Sequence, residues 1–216
     1  MSSTDSVTET NFYRKKLLLS LFIPAVFVFL MWLVKITELL FGLDLSFLGI
    51  YPLKAEGLPG ILFSPFIHAD FKHLINNSFP ILFLGTIVFY FYSEVAFRVL
   101  IWTYILTGIL VWFGGRDAWH IGASGIVYGL ASFLFFSGII RKYYRLAGIS
   151  LLIVFIYGSM VWGMFPGVYQ NVSWESHMLG FVSGIFLAVF YRKEGPQAPV
   201  YEWMDEEEDE WENEGK

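Results

Sequence analysis

The stretch HIGASGIVYG, residues 120–129, places a serine among small residues at the start of a long apolar run. The run continues to Ile140 without a charged residue. Glycine and alanine let two membrane helices approach closely, and a polar group inside a span is a functional hypothesis by default. The stretch therefore predicts a membrane span over 121–140 that opens with Ser124 and packs against a second helix.

The composition of the whole chain is that of a polytopic membrane protein. Of its 216 residues, 56 % are hydrophobic and 15 % are charged, and the mean hydropathy is +0.58, whereas soluble domains carry about 25 % charged residues. The chain has no cysteine, which excludes disulfides, thiolate metal sites and cysteine nucleophiles. The polar N-terminus has no small-residue cleavage site after a short apolar core, so the first span is expected to be retained.

The net charge of −5 is concentrated near the C-terminus. Nine acidic residues stand from 202 to 214, and the one base from 202 onward is Lys216. Such a run is typical of a solvated, disordered extension, with an interaction role as the alternative. The chain is therefore divided into a polar cytoplasmic N-terminus (1–16), a membrane domain (17–193) and an acidic, disordered cytoplasmic tail (194–216).

Six apolar runs approach the length needed to cross a bilayer, which is roughly 20 residues. They cover 17–40, 74–92, 99–113, 121–140, 146–165 and 178–191. An even number puts both termini on one side, where the connecting segments hold nine Lys and Arg against three on the other side. Because cytoplasmic loops are rich in Lys and Arg, the sequence predicts an all-α bundle of six transmembrane helices with both termini in the cytoplasm.

Spans two, four and six then all start at the extracytoplasmic surface, and each start carries a polar side chain suited to chemistry. His73 and Asn77 open span two, Ser124 opens span four and His177 opens span six. Histidine serves as a general base near neutral pH and can activate a serine hydroxyl as a nucleophile. Ser124 and His177 are predicted to form a dyad, the triad logic without its carboxylate, with Glu175 as a remote candidate third member.

An acyl transfer also needs hydrogen-bond donors for the developing oxyanion. Ser124 lies at a helix N-terminus, where free backbone N–H groups point outward. His73 and Asn77 are four residues apart, so they share one helix face and can donate to the same oxygen.

Close approach of spans four and six is predicted by small residues on both. They are Gly122, Ala123, Gly125 and Gly129 on one span, and Gly180 and Gly184 on the other. Tyr128, one turn after Ser124, is then placed to stack on the imidazole of His177.

Each of these residues also has an interpretation without catalysis. A lone serine in a glycine-rich helix usually only packs, and Asn77 can be interhelical glue. His73 and His177 can be proton carriers of a small transporter, although transporters favour internal repeats and none is visible. A zinc protease needs His-Glu-x-x-His and an aspartyl protease needs paired Asp within spans, and the sequence has neither. No cofactor and no metal are expected.

Three motifs resemble, in their order, those of the rhomboid intramembrane serine proteases: HADFKHLINN, GASGIVYG and HMLGFVSG. The resemblance covers roughly residues 68–191. It implies that Ser124 is the nucleophile and that His177 is the general base and acid. It also implies the following roles: oxyanion-hole side chains for His73 and Asn77, the first motif glycine for Gly122, support of the catalytic histidine for Tyr128, and a structural role in the first loop for His68.

The resemblance further implies a lid over 164–175 and a lateral gate at span five. The implied activity is that of an intramembrane serine endopeptidase, which cleaves transmembrane segments near the extracytoplasmic face of a bacterial inner membrane. Its partners would be the lipid bilayer and membrane-protein substrates with a helix-destabilised transmembrane segment, and no nucleic acid. The alternative is a catalytically silent rhomboid-like factor that binds membrane proteins. Two departures stand out: Pro59 and Gly60 replace a frequent Trp-Arg pair, and the acidic tail is not part of the family pattern.

Overall fold

The structure, a computed structural model, describes residues 3–168 and 172–198, without the side chains at 3–8, 147, 154, 159 and 160. The predicted tail from residue 199 onward and residues 169–171 of the predicted lid lie outside the described residues. In the described part the chain forms α1 (Ser3–Phe41), α2 (Gly60–Phe63), α3 (Phe71–Phe91), α4 (Ala96–Gly114), α5 (Ser124–Ile140), α6 (Tyr144–Tyr157) and α7 (Trp174–Phe190). Those residues contain no strand, only an isolated bridge between Ile50 and His120, so the prediction of an all-α fold is confirmed.

Three helices are long and apolar enough to cross a membrane by length and composition. They are the segment Glu9–Phe41 of α1, the whole of α3 and the whole of α4. The helices α5, α6 and α7 are also apolar but shorter, with 17, 14 and 17 residues. The predicted count of six spans and the orientation of the termini stay predictions.

The helix bounds differ most from the apolar runs at three places. The first helix begins at Ser3, so most of the predicted polar N-terminus (1–16) is part of this helix. α6 ends at Tyr157, and a 3-10 helix over Gly158–Met164 follows instead of a helix to 165. α7 begins at Trp174 rather than at 178, because the Ser173 side chain accepts the Ser176 N–H and caps it. Apolar runs mark burial or lipid contact, whereas caps mark where a helix begins.

The centre of the fold is α5, which packs against α3, α4, α6 and α7. Its contact with α7 is a backbone contact. A Cβ on Gly180 would overlap the carbonyl oxygen of Gly125, and one on Gly184 would overlap that of Gly129. The predicted close approach through small residues is therefore confirmed.

The loop between α1 and α3 is tied to α1 by a lysine. The Lys35 ammonium donates to the carbonyl oxygens of His68 (2.8 Å) and Ala69 (3.1 Å). It also pairs with buried Glu38 at 3.2 Å, and the carboxylate of Glu38 accepts the N–H of Leu45. These bonds hold the loop that leads into α3 and so fix where α3 begins.

Candidate active site

Ser124 is the first residue of α5, and the turn before it can only be made by a glycine. Gly122 has φ = +102°, a left-handed conformation that L side chains rarely adopt. A Cβ on Gly122 would stand 2.6 Å from Cε1 and 2.8 Å from Nε2 of His73. The Gly122 N–H donates to the carbonyl of Ser64 at 2.8 Å. This turn brings the start of α5 against the first turns of α3.

The side chains of His73 and Asn77 both face Gly122, as their spacing on one helix face predicts. The α3 N-terminus is capped by Asp70, whose carboxylate accepts the His73 N–H at 2.7 Å. Asn77 Nδ2 would lie 3.6 Å from the same Gly122 Cβ position. Asn77 is buried, and its Nδ2 has no hydrogen-bond partner among the described residues. A buried amide donor without a partner is uncommon and calls for an explanation.

His177 lies in the first turn of α7, with 8 % of its surface exposed. Its Nδ1 is 2.9 Å from the carbonyl oxygen of Gly163. A carbonyl only accepts, so Nδ1 carries the proton and Nε2 of the neutral ring presents a lone pair. The Tyr128 ring stacks on the imidazole at 4.2 Å with an interplanar angle of 15°. The predicted stacking is confirmed.

Ser124 and His177 are brought onto facing first turns of α5 and α7. The backbones touch one residue away from each: a Cβ on Gly125 would stand 3.1 Å from the carbonyl oxygen of Ser176. Within the described part, neither the Ser124 hydroxyl nor His177 Nε2 forms a hydrogen bond. The two first turns therefore lie against each other, without a hydrogen bond between the side chains of Ser124 and His177 in the described part.

His68 packs behind His73 in the loop before α3. The two rings meet edge to face at 5.0 Å, and His68 Nδ1 is 3.4 Å from the Phe66 carbonyl. Burial, with a smaller contribution from neighbouring His73, lowers the pKa of His68 to about 3. The ring is therefore neutral at physiological pH, in keeping with a structural position.

Glu175 does not complete a triad with His177. It is 3 % exposed, and both its carboxylate oxygens lie 3.3 Å from Nη1 of Arg116, which follows α4. The Nδ1 of His177 is bonded instead to the Gly163 carbonyl. Neither partner was found from the sequence: Arg116 stands 59 residues from Glu175, and a backbone carbonyl leaves no mark in the side-chain pattern.

Pro59 and Gly60, which depart from the Trp-Arg pair, begin the short helix α2. A Cβ on Gly60 would overlap the carbonyl oxygen of Gly49. The first loop is therefore closed here by backbone packing. Over the described residues, no group of three or more His, Asp or Glu side chains is arranged to hold a metal ion.

An apolar cavity of about 240 Å³ lies beside Tyr128. Its walls come from α5, α6, the 3-10 helix and α7, and include Phe135, Ile153, Tyr157, Met164 and Phe181. The cavity thus connects the stacked Tyr128 ring to the space between α5 and α6.

Comparison with known proteins assigns the chain to a family. A model of the rhomboid domain matches residues 56–194. Uncharacterized proteins of Mycobacterium tuberculosis and Mycobacterium bovis are each 35 % identical over 178 residues, which cover 75 % of this chain and 71 % of theirs. One of Mycobacterium leprae is 32 % identical over 75 % of this chain and 67 % of its own. With its apolar helices and this domain, the chain is an integral membrane protein that belongs to the rhomboid family.

Proposed function

We propose that this rhomboid protein is an intramembrane serine endopeptidase in which Ser124 is the nucleophile and His177 is the general base. The observation that carries the proposal is the hydrogen bond from His177 Nδ1–H to the Gly163 carbonyl. It selects the tautomer whose Nε2 lone pair can take a hydroxyl proton. This neutral tautomer, in a turn of α7 that packs against the first turn of α5, is the form that a general base for Ser124 requires.

In the proposed reaction the Ser124 Oγ attacks the carbonyl carbon of a substrate peptide bond, and its proton passes to His177 Nε2. The carbonyl π electrons move onto oxygen as the C–O bond forms. The imidazolium then returns the proton to the amide nitrogen while the C–N bond breaks, which leaves an ester on Ser124. Water hydrolyses the ester with the same base. The stacked Tyr128 ring and the Gly163 carbonyl favour the positive charge on the imidazole.

The oxyanion that forms in this step needs donors that are already in place. Asn77 offers a buried N–H group without a partner among the described residues, whose unmet hydrogen bond costs about 1–3 kcal/mol. That cost is recovered when the negative oxygen arrives. His73 and the free N–H of Ser124 at the start of α5 complete the donor set. Loss of one such donor lowers kcat by about 10²–10³-fold in other enzymes.

The proposed substrate is a transmembrane segment of another membrane protein in a bacterial cell membrane, cut near the extracytoplasmic face. A helical segment hides its carbonyl groups, so a segment whose helix is easily unwound is favoured. α6 packs mainly on α5 and on the 3-10 helix that follows it, and the cavity beside Tyr128 opens between α5 and α6. Both observations support entry of the substrate at α6. The segment 164–175 would cover the site as a lid.

A catalytically silent factor that binds membrane proteins is the second candidate. One observation favours it: Ser124 and His177 form no hydrogen bond to each other among the described residues. Such a protein would keep the fold and the entry route without the chemistry.

The test is cleavage of a single-span membrane protein that is co-reconstituted with wild type, Ser124→Ala or His177→Ala. Ser183→Ala is the matched control, because Ser183 is a buried serine of α7 that only donates to the Leu179 carbonyl. We expect wild type and the control to cut the substrate and to be labelled by a serine-directed phosphonate. Cleavage by the two active-site variants would overturn the proposal, and an unlabelled, inactive wild type would favour the binding factor.

A further inference from the structure

The first turn of α7, which carries His177, is held by two side chains of the loop between α4 and α5. We propose that these two, Arg116 and His120, are positioning residues that set the place of His177 relative to Ser124. This proposal rests on the proposed function. It adds the two residues of the α4–α5 loop that position the proposed base His177.

Arg116 contacts the chain on both sides of Ser173, the N-cap residue of α7. Its Nη1 lies 3.3 Å from both carboxylate oxygens of Glu175, and its Nη2 donates to the Val172 carbonyl at 3.1 Å. The Arg116 side chain is half-exposed, whereas that of Glu175 is 3 % exposed. A carboxylate in the first turn of a helix also gains from the positive N-terminal end of the helix dipole. Loss of Arg116 would leave a buried charge unpaired, which strongly disfavours the present position of the turn.

His120 holds the cap itself through a chain of hydroxyl groups. Its Nε2 is 3.0 Å from the Arg116 carbonyl, so Nε2 carries the proton and Nδ1 accepts. Nδ1 is 2.6 Å from Ser173 Oγ, and Ser173 Oγ is 2.7 Å from Ser176 Oγ. Each contact needs one proton, so Ser176 donates to Ser173 and Ser173 donates to His120. The chain requires a neutral His120, and burial lowers the pKa of His120 in that direction.

His120, the residue from which this series of hydrogen bonds starts, is held firmly in place. His120 exchanges two backbone hydrogen bonds with Ile50 of the first loop, at 2.8 and 2.9 Å. A Cβ on Gly115 would stand 2.9 Å from His120 Nε2, so the backbone at Gly115 also packs against the imidazole ring. Contacts with the first loop and with the loop between α4 and α5 therefore fix the position of His120 independently of α7.

The hydrogen-bonded chain from His120 ends at Ser176, one residue before the proposed base. Ser176 immediately precedes His177, and its carbonyl oxygen lies against Gly125, which immediately follows Ser124. A tilt of this turn would thus move the imidazole relative to the hydroxyl. Misplacement by about 1 Å can cost roughly 10²-fold in rate, while substrate binding elsewhere is unchanged. The expected signature is a loss of kcat without a matching rise of KM.

The experiment compares wild type with Arg116→Ala, Arg116→Lys and the control Asp117→Asn. Asp117 neighbours Arg116, but its side chain is 78 % exposed and pairs with Lys54, not with α7. For Arg116→Ala we expect kcat to fall about 10-fold or more with KM within about twofold. Amide hydrogen exchange of residues 172–180 should rise in the same variant. Arg116→Lys should recover part of kcat, because it keeps the charge but not the two-pronged geometry, and Asp117→Asn should behave as wild type.

A double variant separates positioning from general damage. Arg116→Ala with Glu175→Gln removes the stranded charge, so its kcat should exceed that of Arg116→Ala alone. His120→Ala should repeat the loss of kcat without touching the ion pair. Unchanged exchange in Arg116→Ala, or raised exchange with unchanged kcat, would overturn the positioning role. If wild type cleaves no better than Ser124→Ala, the proposed function fails and this role falls with it; if only wild type cleaves, each Arg116 result decides the positioning role alone.

Discussion

The polar groups near the two ends of α5 differ in whether their hydrogen bonds are satisfied. After its last turn, Arg141 is 6 % exposed and its nitrogens are all engaged. Its guanidinium donates to Ser137 Oγ (2.8 Å) and to the carbonyls of Tyr191 (2.7 Å), Arg192 and Pro196 (3.1 Å each). At the first turn the N-cap residue is Ala123, which has no capping side chain. There Gly122, two residues before the helix, lies against a buried Asn77 amide that has no partner in the described part.

Under the proposed function, the difference separates groups that stabilise the fold from groups that are kept for the substrate. Satisfied donors around Arg141 join the ends of α5 and α7 and lower the free energy of the folded state. Unsatisfied donors around Ser124 cost free energy until something binds them. Violations of local rules that gather at one place are expected at functional sites. Variants at the two ends should accordingly affect different quantities.

The largest effect is expected for Gly122→Ala. The added Cβ meets the His73 ring at 2.6 Å, and φ = +102° is strained for alanine. We expect proteolysis to fall by more than about 10²-fold, because the turn before Ser124 cannot form unchanged. Gly148→Ala is the matched control, since a Cβ there meets nothing within 4 Å. Cleavage rates in liposomes measure both, and an active Gly122→Ala would show that the turn tolerates another conformation.

Replacement of Arg141 should affect stability and leave the chemistry alone. Arg141→Met leaves the carbonyls that it binds without a donor, at a cost of about 1–3 kcal/mol for each that stays buried. Arg98→Met is the comparison, because the Arg98–Glu194 ion pair has side chains about half-exposed and such pairs contribute about 0–1 kcal/mol. Thermal unfolding in detergent measures the difference. A fall of kcat per folded molecule in Arg141→Met would mean that the two ends are coupled.

The opposite outcome is expected for Asn77. Asn77→Ala should lower kcat by about 10²-fold, yet leave Tm unchanged or slightly raised, because it removes a buried donor that has no partner among the described residues. Asn76→Ala, on an exposed face one residue away, is the control for α3. A large loss of Tm with unchanged kcat would reassign Asn77 to packing between helices.

The contrast also explains what could be predicted from the sequence. Side chains that are costly in lipid stand out against an apolar background, so His73, Asn77, Ser124 and His177 could be singled out as candidates from the order of residues alone. The close contact of α5 and α7 followed from small residues at helical spacing. These features are local or periodic, and local patterns survive in a sequence.

What could not be predicted depends on contacts with no pattern in the chain. The carbonyl that orients His177 belongs to Gly163, 14 residues away in a 3-10 helix. Arg141 binds backbone atoms about 50 residues distant. Arg116 and Glu175 lie far apart in the chain, and only the fold pairs them. Helix starts at Ser3 and Trp174 were missed because caps and continued turns, rather than hydropathy, set them.

The smallest effect is a dependence of stability on pH that comes from His68. Its pKa is about 3 in the folded protein, against 6.5 for a free side chain. The unfolded chain therefore binds the proton first as pH falls, so the stabilisation is complete above pH 6.5 and is lost progressively toward pH 3. At pH 5 the loss should be about 2 kcal/mol relative to pH 7.5, at 1.36 kcal/mol per pKa unit. His68→Gln, which cannot titrate, should lose less stability over the same interval, measured by unfolding at both pH values. Equal losses in the two proteins would mean that His68 is already protonated in the fold, and the buried, neutral ring behind His73 would have to be abandoned.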